Sequence, residues 1–288
     1  MSTSTAIPPT FRDTITEDAE RRRVLVTLDE AGKAAVRGAQ EMAATMAQIW
    51  GIRYDTALAA VRAGVDTGNE AAVLAFAAEE FERQGDAARA ACRDELVAAT
   101  DERVPPRFAG ATVTEPRIAD WLGVVIAQAR QSARVPGVDF VTGGPSLLIS
   151  GPTGTGKTHQ AYGVVRALAA ASVRAQWILT TAADFYGALR PRAGIDSETE
   201  FRRFANARLL ILDDLGAAKP SDWTEEQDYR LINTRYEAKA ATIITTNLQP
   251  RDIPEKFGQR VASRLNEMCT PVPIVGPDRR RAQPREVP

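Results

Sequence analysis

The sequence predicts an α/β fold, a parallel sheet flanked by helices, with a small all-α domain in front of it. Three observations lead there. A short apolar run at 146–150 stops at a glycine-rich turn, after which Ala161, Val164, Val165 and Leu168 recur at helical spacing. From that turn to residue 246, apolar strand-length runs alternate with helix-length periodic segments, the pattern of parallel strands buried on both faces. Ahead of residue 104, only helical periodicity occurs.

The first dozen residues, with serines, threonines and the Pro8–Pro9 pair, read as a disordered lead. Thr27-Leu28-Asp29-Glu30 fits a capping box, and Val36, Ala39, Ala43, Met46 and Trp50 then follow at helical steps up to Gly51. A second helix is expected around 57–63. A third, over 69–100, sets Leu74, Ala78, Phe81, Ala88, Cys92 and Leu96 along one side, with Gly85 as a bend. This front domain, 1–103, has apolar stripes that either pack together or leave a surface for a protein partner; it contains no catalytic constellation. Arginines 21–23 read as solvated charge. The paired prolines of Val104-Pro105-Pro106 open a linker, 104–145, with an amphipathic helix marked by Ile118, Trp121, Leu122, Val125 and Ile126.

The third segment, 146–288, opens on L-L-I-S-G-P-T-G-T-G-K-T, in which Gly151-Pro152-Thr153-Gly154-Thr155-Gly156-Lys157-Thr158 is a complete phosphate-loop pattern. Glycines let the backbone curl until successive N–H groups face phosphate oxygens. Lys157 then reaches the β- and γ-phosphates, the Thr158 hydroxyl ligates Mg²⁺, and the following helix offers its positive end. The pattern predicts binding of a nucleoside triphosphate. His159 directly follows it and reads as a helix-surface residue.

Beyond the loop the expected order is helix to 171, strand 174–181, helix 182–189, helix around Glu200, strand 208–214, helix 225–240 and strand 241–246. The strand at 208–214 delivers Asp213 and Asp214 at its end, one to hold Mg²⁺ and one to orient or deprotonate the attacking water. Another strand separates it from the phosphate loop in sequence, a spacing that favours water-activating ATPases over small-molecule kinases. The strand at 243–246 ends in Asn247, placed to bond the γ-phosphate and the lytic water. Arg260 and Arg264 lie one helical turn apart, suited to present a guanidinium to a neighbouring subunit's nucleotide. The tail Asp278-Arg279-Arg280-Arg281 is basic.

A net charge of −1 and a pI near 6.1 supply no global basic field for nucleic acid, so any such contact must be local. Cys92 and Cys269 match no metal or redox spacing, and neither a secretory segment nor a membrane span is indicated, so a cytoplasmic protein is expected.

With these residues in view, positions 104–281 resemble the DnaC/IstB-like ATPases, an AAA+ family of replicative helicase loaders and transposition helpers. The resemblance lies in G-P-T-G-T-G-K-T-H, L-L-I-L-D-D-L-G, N-T-R-Y-E leading into T-I-I-T-T-N-L, R-V-A-S-R-L, and the closing G-P-D-R-R. It implies a P-loop NTPase fold of the AAA+/ASCE type, ATP and Mg²⁺ at Lys157, Thr158, Asp213 and Asp214, and a sensor role for Asn247. It further implies Arg264 as arginine finger with Arg260 as alternative, and a nucleotide-site arginine at Arg280. Loaders of this kind touch single-stranded DNA after the second strand. Here that maps onto Arg190, Arg192, Arg202 and Arg203 as phosphate contacts and Phe185 and Tyr186 as stacking faces, with Asp184, Asp196, Glu198 and Glu200 nearly cancelling the charge. The expected function is ATP-dependent helicase loading: subunits assemble on single-stranded DNA, and the front domain grips a DnaB-type replicative helicase. The alternatives are a transposition helper on duplex DNA and an ATP-gated adaptor with little hydrolysis.

Overall fold

In the computed structural model, residues 30–279 are described apart from 193, 195, 218 and 220. The expected disordered lead, the start of the capping box, arginines 21–23, Arg280 and Arg281 therefore lie outside the described residues. The chain divides into two compact units, 1–83 and 84–288.

In the first unit, α1 (Glu30–Trp50) packs on α2 (Tyr54–Arg62), and α3 (Glu70–Asp101) begins. Ala43, Met46, Ala57, Leu58, Ala60 and Val73 form its core. Four of the six are alanine or valine, so the helices meet on small side chains and little apolar area is buried per contact. The division falls inside α3, which runs 32 residues without the bend expected at Gly85.

The second unit is built on five parallel strands in the order β4-β5-β6-β2-β7: β2 (Ser146–Ser150), β4 (Trp177–Thr181), β5 (Leu209–Leu215), β6 (Thr242–Thr246) and β7 (Cys269–Pro273). Alternate residues sort to opposite faces. Leu147, Ile149, Leu209, Ile211 and Ile243 meet α4 (Pro116–Gln131) and α5 (Lys157–Ala170). Leu148, Leu210, Leu212 and Ile244 meet α6 (Ala182–Leu189), α7 (Ser197–Ala205), α8 (Asp222–Glu237) and α9 (Ile253–Met268). Both faces are covered, as the continuous apolar runs require.

Three features depart from expectation. The run at 174–181 is not one strand: β3 (Val173–Arg174) pairs with β1 (Asp139–Phe140) in a separate two-stranded sheet, and Gln176 at φ 45° breaks the chain before β4. Edge strand β7 was not anticipated, because Pro271 and Pro273 argue against a strand; they are tolerated where one side of the strand makes no ladder bonds. Helix α8 starts at Asp222, set by a capping box between Ser221 and Thr224. Among the described residues no helix is long and apolar enough to cross a membrane.

Candidate functional site

In a parallel sheet, groups that follow the carboxyl ends of the strands share one rim. Strands β5, β6 and β2 are adjacent, so the loops leaving them are neighbours. The phosphate loop leaves β2 at Ser150 and ends at Gly156, whose φ of 101° caps α5 from the left-handed region. No side chain caps that helix, so its first-turn amides are left to an anion. Gly151 is needed for another reason: a Cβ there would collide with the carbonyl of Ile274, where the chain leaving β7 runs past the loop.

The three strand ends are joined by direct hydrogen bonds. Lys157 Nζ donates to Gly151 O at 2.8 Å, Pro152 O at 2.9 Å and Asn247 Oδ1 at 2.7 Å. Because an ammonium only donates, the Asn247 amide oxygen faces Lys157 and its NH₂ is turned away from it. The Thr158 hydroxyl lies 3.0 and 3.1 Å from the two Asp213 oxygens. Thr245 Oγ1 approaches Asp213 Oδ1 at 2.5 Å and receives the Asp214 N–H at 2.9 Å. Within the loop, Thr155 Oγ1 donates to Pro152 O at 2.9 Å.

Burial pushes the Asp213 carboxyl above its ordinary value, and the neighbouring Asp214 charge adds to this; the Thr245 and Thr158 bonds and the Lys157 charge act the other way. A cation beside Asp213 would restore its charged form. Among the described residues no group of three or more His, Cys, Asp or Glu is gathered to hold a metal. The paired oxygens of Thr158 and Asp213 fit Mg²⁺ nonetheless, since that ion keeps several waters and takes only one or two protein ligands beside substrate phosphates.

His159 is half-buried and accepts the Thr112 N–H at 3.4 Å; burial lowers its pKa, with Arg279 and Arg166 contributing. Beside it, Gln160 Oε1 receives the N–H of Thr114 at 3.0 Å, and Gln160 Nε2 donates to Thr114 Oγ1 at 2.7 Å. The segment before α4 is thus bolted to the first turn of the phosphate-loop helix. Neither contact was legible beforehand, since both depend on the path of a segment without periodicity.

Other expected residues make different contacts. Arg264 Nε donates to Asn233 Oδ1 at 2.7 Å, and its guanidinium sits 5.2 and 5.7 Å from the Tyr229 and Tyr236 ring centres, all on α8. Arg260 is exposed. Arg280 lies outside the described residues, whereas Arg279 N–H donates to Gly154 O at 3.0 Å.

The expected stacking pair is corrected. Phe185 is 0% exposed and Tyr186 6%, both in the core beneath α6, and the Tyr186 hydroxyl is bonded to Asp228 at 2.7 Å, so neither ring offers a face to a base. An aromatic beside a polar residue reads equally as surface or core in sequence, and the helical register decides. Arg190, Arg192, Arg202 and Arg203 are exposed, with Arg202 3.4 Å from Glu198 and Arg203 2.9 Å from Glu200.

The family model described as "IstB-like ATP binding protein" matches residues 120–284. The insertion sequence IS232 putative ATP-binding protein of Bacillus thuringiensis subsp. berliner is 30% identical over 138 residues, 46% of this chain and 54% of that protein. The chromosomal replication initiator protein DnaA of Lacticaseibacillus casei (strain BL23) is 30% identical over 156 residues, 53% of this chain and 33% of that protein. The chain thus spans between a third and about half the length of these curated relatives. A crystal structure of the DnaC helicase loader superposes with a TM-score of 0.47 at 24% identity, covering 59% of this chain and all of that one.

Proposed function

This chain belongs to the IstB-like ATP-binding protein family, within the DnaC/IstB-like AAA+ ATPases, and from that premise we propose that it hydrolyses ATP to drive a loading step on DNA. The observation that supports this reading best is the hydrogen-bonded meeting of Lys157, Thr158, Asp213 and Asn247 at one rim of the sheet. Lys157 releases its three oxygens to bind the β- and γ-phosphates, and the amides of Gly154, Gly156 and α5 receive the remaining charge. Thr158 and Asp213 would hold Mg²⁺, which when bound neutralises charge on the phosphates. Asp214 orients and deprotonates the attacking water, and the Asn247 NH₂ fixes that water against the γ-phosphate. Arg264 supplies the missing cation from a second copy of the chain, with Arg260 as the alternative, and Arg280 acts on its own subunit's nucleotide.

The three-part organisation, 1–103, 104–145 and 146–288, is proposed with the same logic: helices in front for a partner, ATPase behind. We take the partner to be a DnaB-type replicative helicase delivered to single-stranded DNA in the cytoplasm, a reading supported by the relative named a replication initiator. A second reading, a transposition helper on duplex DNA, is favoured by the relative named for an insertion sequence. ATP hydrolysis by the full chain, measured alone and with single- or double-stranded oligonucleotides, separates them. Loading predicts stimulation by single strands and loss of turnover in Lys157→Ala; stimulation by duplex alone supports the second reading. Hydrolysis unaffected by Lys157→Ala removes both.

A further inference from the structure

We propose that Thr245, to which the sequence reading gives no role, is the positioning residue that sets both acids of the site through a single hydroxyl. The inference rests on the reading of Asp213 as a magnesium ligand and adds the part that aims it.

The register of the sheet creates the opportunity. Leu212 pairs with Ile244 and Leu215 pairs with Thr246, so Asp213 and Asp214 together stand opposite the one residue Thr245. This is a β-bulge, and it turns two consecutive acids out at the strand end. A bulge leaves the extra residue without a ladder partner. Here Thr245 supplies one: its Oγ1 receives the Asp214 N–H at 2.9 Å. Asp214 needs such an anchor because it stands at φ 55°, a left-handed conformation that disfavours a residue with a side chain.

Donor chemistry then determines where the hydroxyl proton goes. The Asp214 N–H can only donate, so Thr245 Oγ1 accepts there. An ionised carboxylate can only accept, so the single Thr245 proton is directed to Asp213 Oδ1, 2.5 Å away. The hydroxyl thereby holds the side chain of one acid and the backbone of the next. Thr245 is itself fully buried in the central part of the sheet and has no freedom to turn elsewhere. The neighbouring Thr246 Oγ1 closes the bulge by donating to Leu215 O at 2.7 Å. Thr245 also lies two residues before Asn247, which directly follows β6, so a shift of β6 moves the water-fixing amide and both acids together.

The test compares Thr245→Val, which keeps the shape and removes the hydroxyl, with Thr245→Ser, which keeps the hydroxyl. Binding of a fluorescent ATP analogue to the full chain is measured with magnesium and with EDTA, beside thermal melting without nucleotide. Loss of a residue that orients a metal ligand typically weakens metal affinity about 10- to 100-fold. We therefore expect Thr245→Val to lose about tenfold or more of the magnesium-dependent gain in affinity, with EDTA binding unchanged and Thr245→Ser close to wild type. A Thr245→Val protein that melts like wild type and retains the full magnesium gain overturns the inference. Should Thr245→Val fail to fold, Thr245→Ala against Thr245→Ser makes the same comparison, and equal magnesium dependence in those two overturns it as well. If wild type itself gains nothing from magnesium, the metal reading of Asp213 is what fails.

Discussion

At the scale of single residues, Lys157 meets Asn247 and Thr158 meets Asp213 through direct hydrogen bonds at the rim of the sheet. Lys157 and Thr158 are adjacent because a phosphate loop requires it, and Asp213 ends an apolar strand for a similar reason; the structure brings all three to one rim. Tyr186 and Asp228 are 42 positions apart and nothing in their surroundings announces a pair, yet the buried Tyr186 hydroxyl lies 2.7 and 2.8 Å from the two Asp228 oxygens. Burial pushes Asp228 from its ordinary 3.8 up to about 7, with the Glu225 charge adding to the rise. A carboxyl raised in the folded state contributes stability that is present below its unfolded pKa and is lost as pH rises through the folded one. Between pH 4 and 8 that loss amounts to roughly 4 kcal/mol at most. Asp228→Asn, which cannot ionise, should therefore melt above wild type at pH 8, and the gap should narrow as pH falls and close only near the unfolded value of 3.8. Denaturation curves of the two proteins between about pH 4 and 8 check this, and parallel profiles would show that Asp228 does not titrate in that window.

At the scale of elements, the continuous apolar runs of β2, β5 and β6 made their burial predictable, since leucines and isoleucines on both faces have no other solution. Their adjacency was not written in any one of them. It is enforced partly by Arg235, which is 0% exposed and reaches neutral oxygens only: Nε donates to Thr242 Oγ1 at 2.8 Å, Nη2 to Ala241 O at 2.7 Å, and Nη1 lies against the carbonyls of Phe204, Ala205 and Ala207. One guanidinium thus closes the C-terminal end of α7 and ties it to the start of β6. Burial lowers its pKa to about 10, so the charge persists at neutral pH. In sequence this arginine looks like any polar residue on an amphipathic helix. Arg235→Met should leave several buried carbonyls without donors and cost about 3–5 kcal/mol. Calorimetry should register a fall in melting temperature of about 10 °C. A fall below about 2 °C would mean that water replaces the guanidinium without penalty.

At the scale of the whole molecule, the site built from one chain contains a lysine, two threonine hydroxyls, two acids and an amide, and Arg279 meets its phosphate loop through a backbone N–H to Gly154 O. Arg264 is instead held on α9 by Asn233 and two tyrosines of α8, preorganised on a helix surface. On the proposed reading, a guanidinium fixed in this way serves a neighbouring copy, and turnover becomes a property of the assembly. Oligomerisation is the feature a single sequence conveys least, because the two halves of such a site never meet within one chain. The prediction is one of complementation. Arg264→Ala and Asp214→Asn should each be inactive alone while still binding ATP. Mixed in equal amounts, they should regain activity, because in a head-to-tail ring about a quarter of the sites combine an intact Asp214 with a neighbour's intact Arg264. Hydrolysis measured across a titration of one variant into the other would follow a bell-shaped curve peaking near equal proportions. A flat line at the level of the separate variants would place the finger within the subunit or remove it from the mechanism.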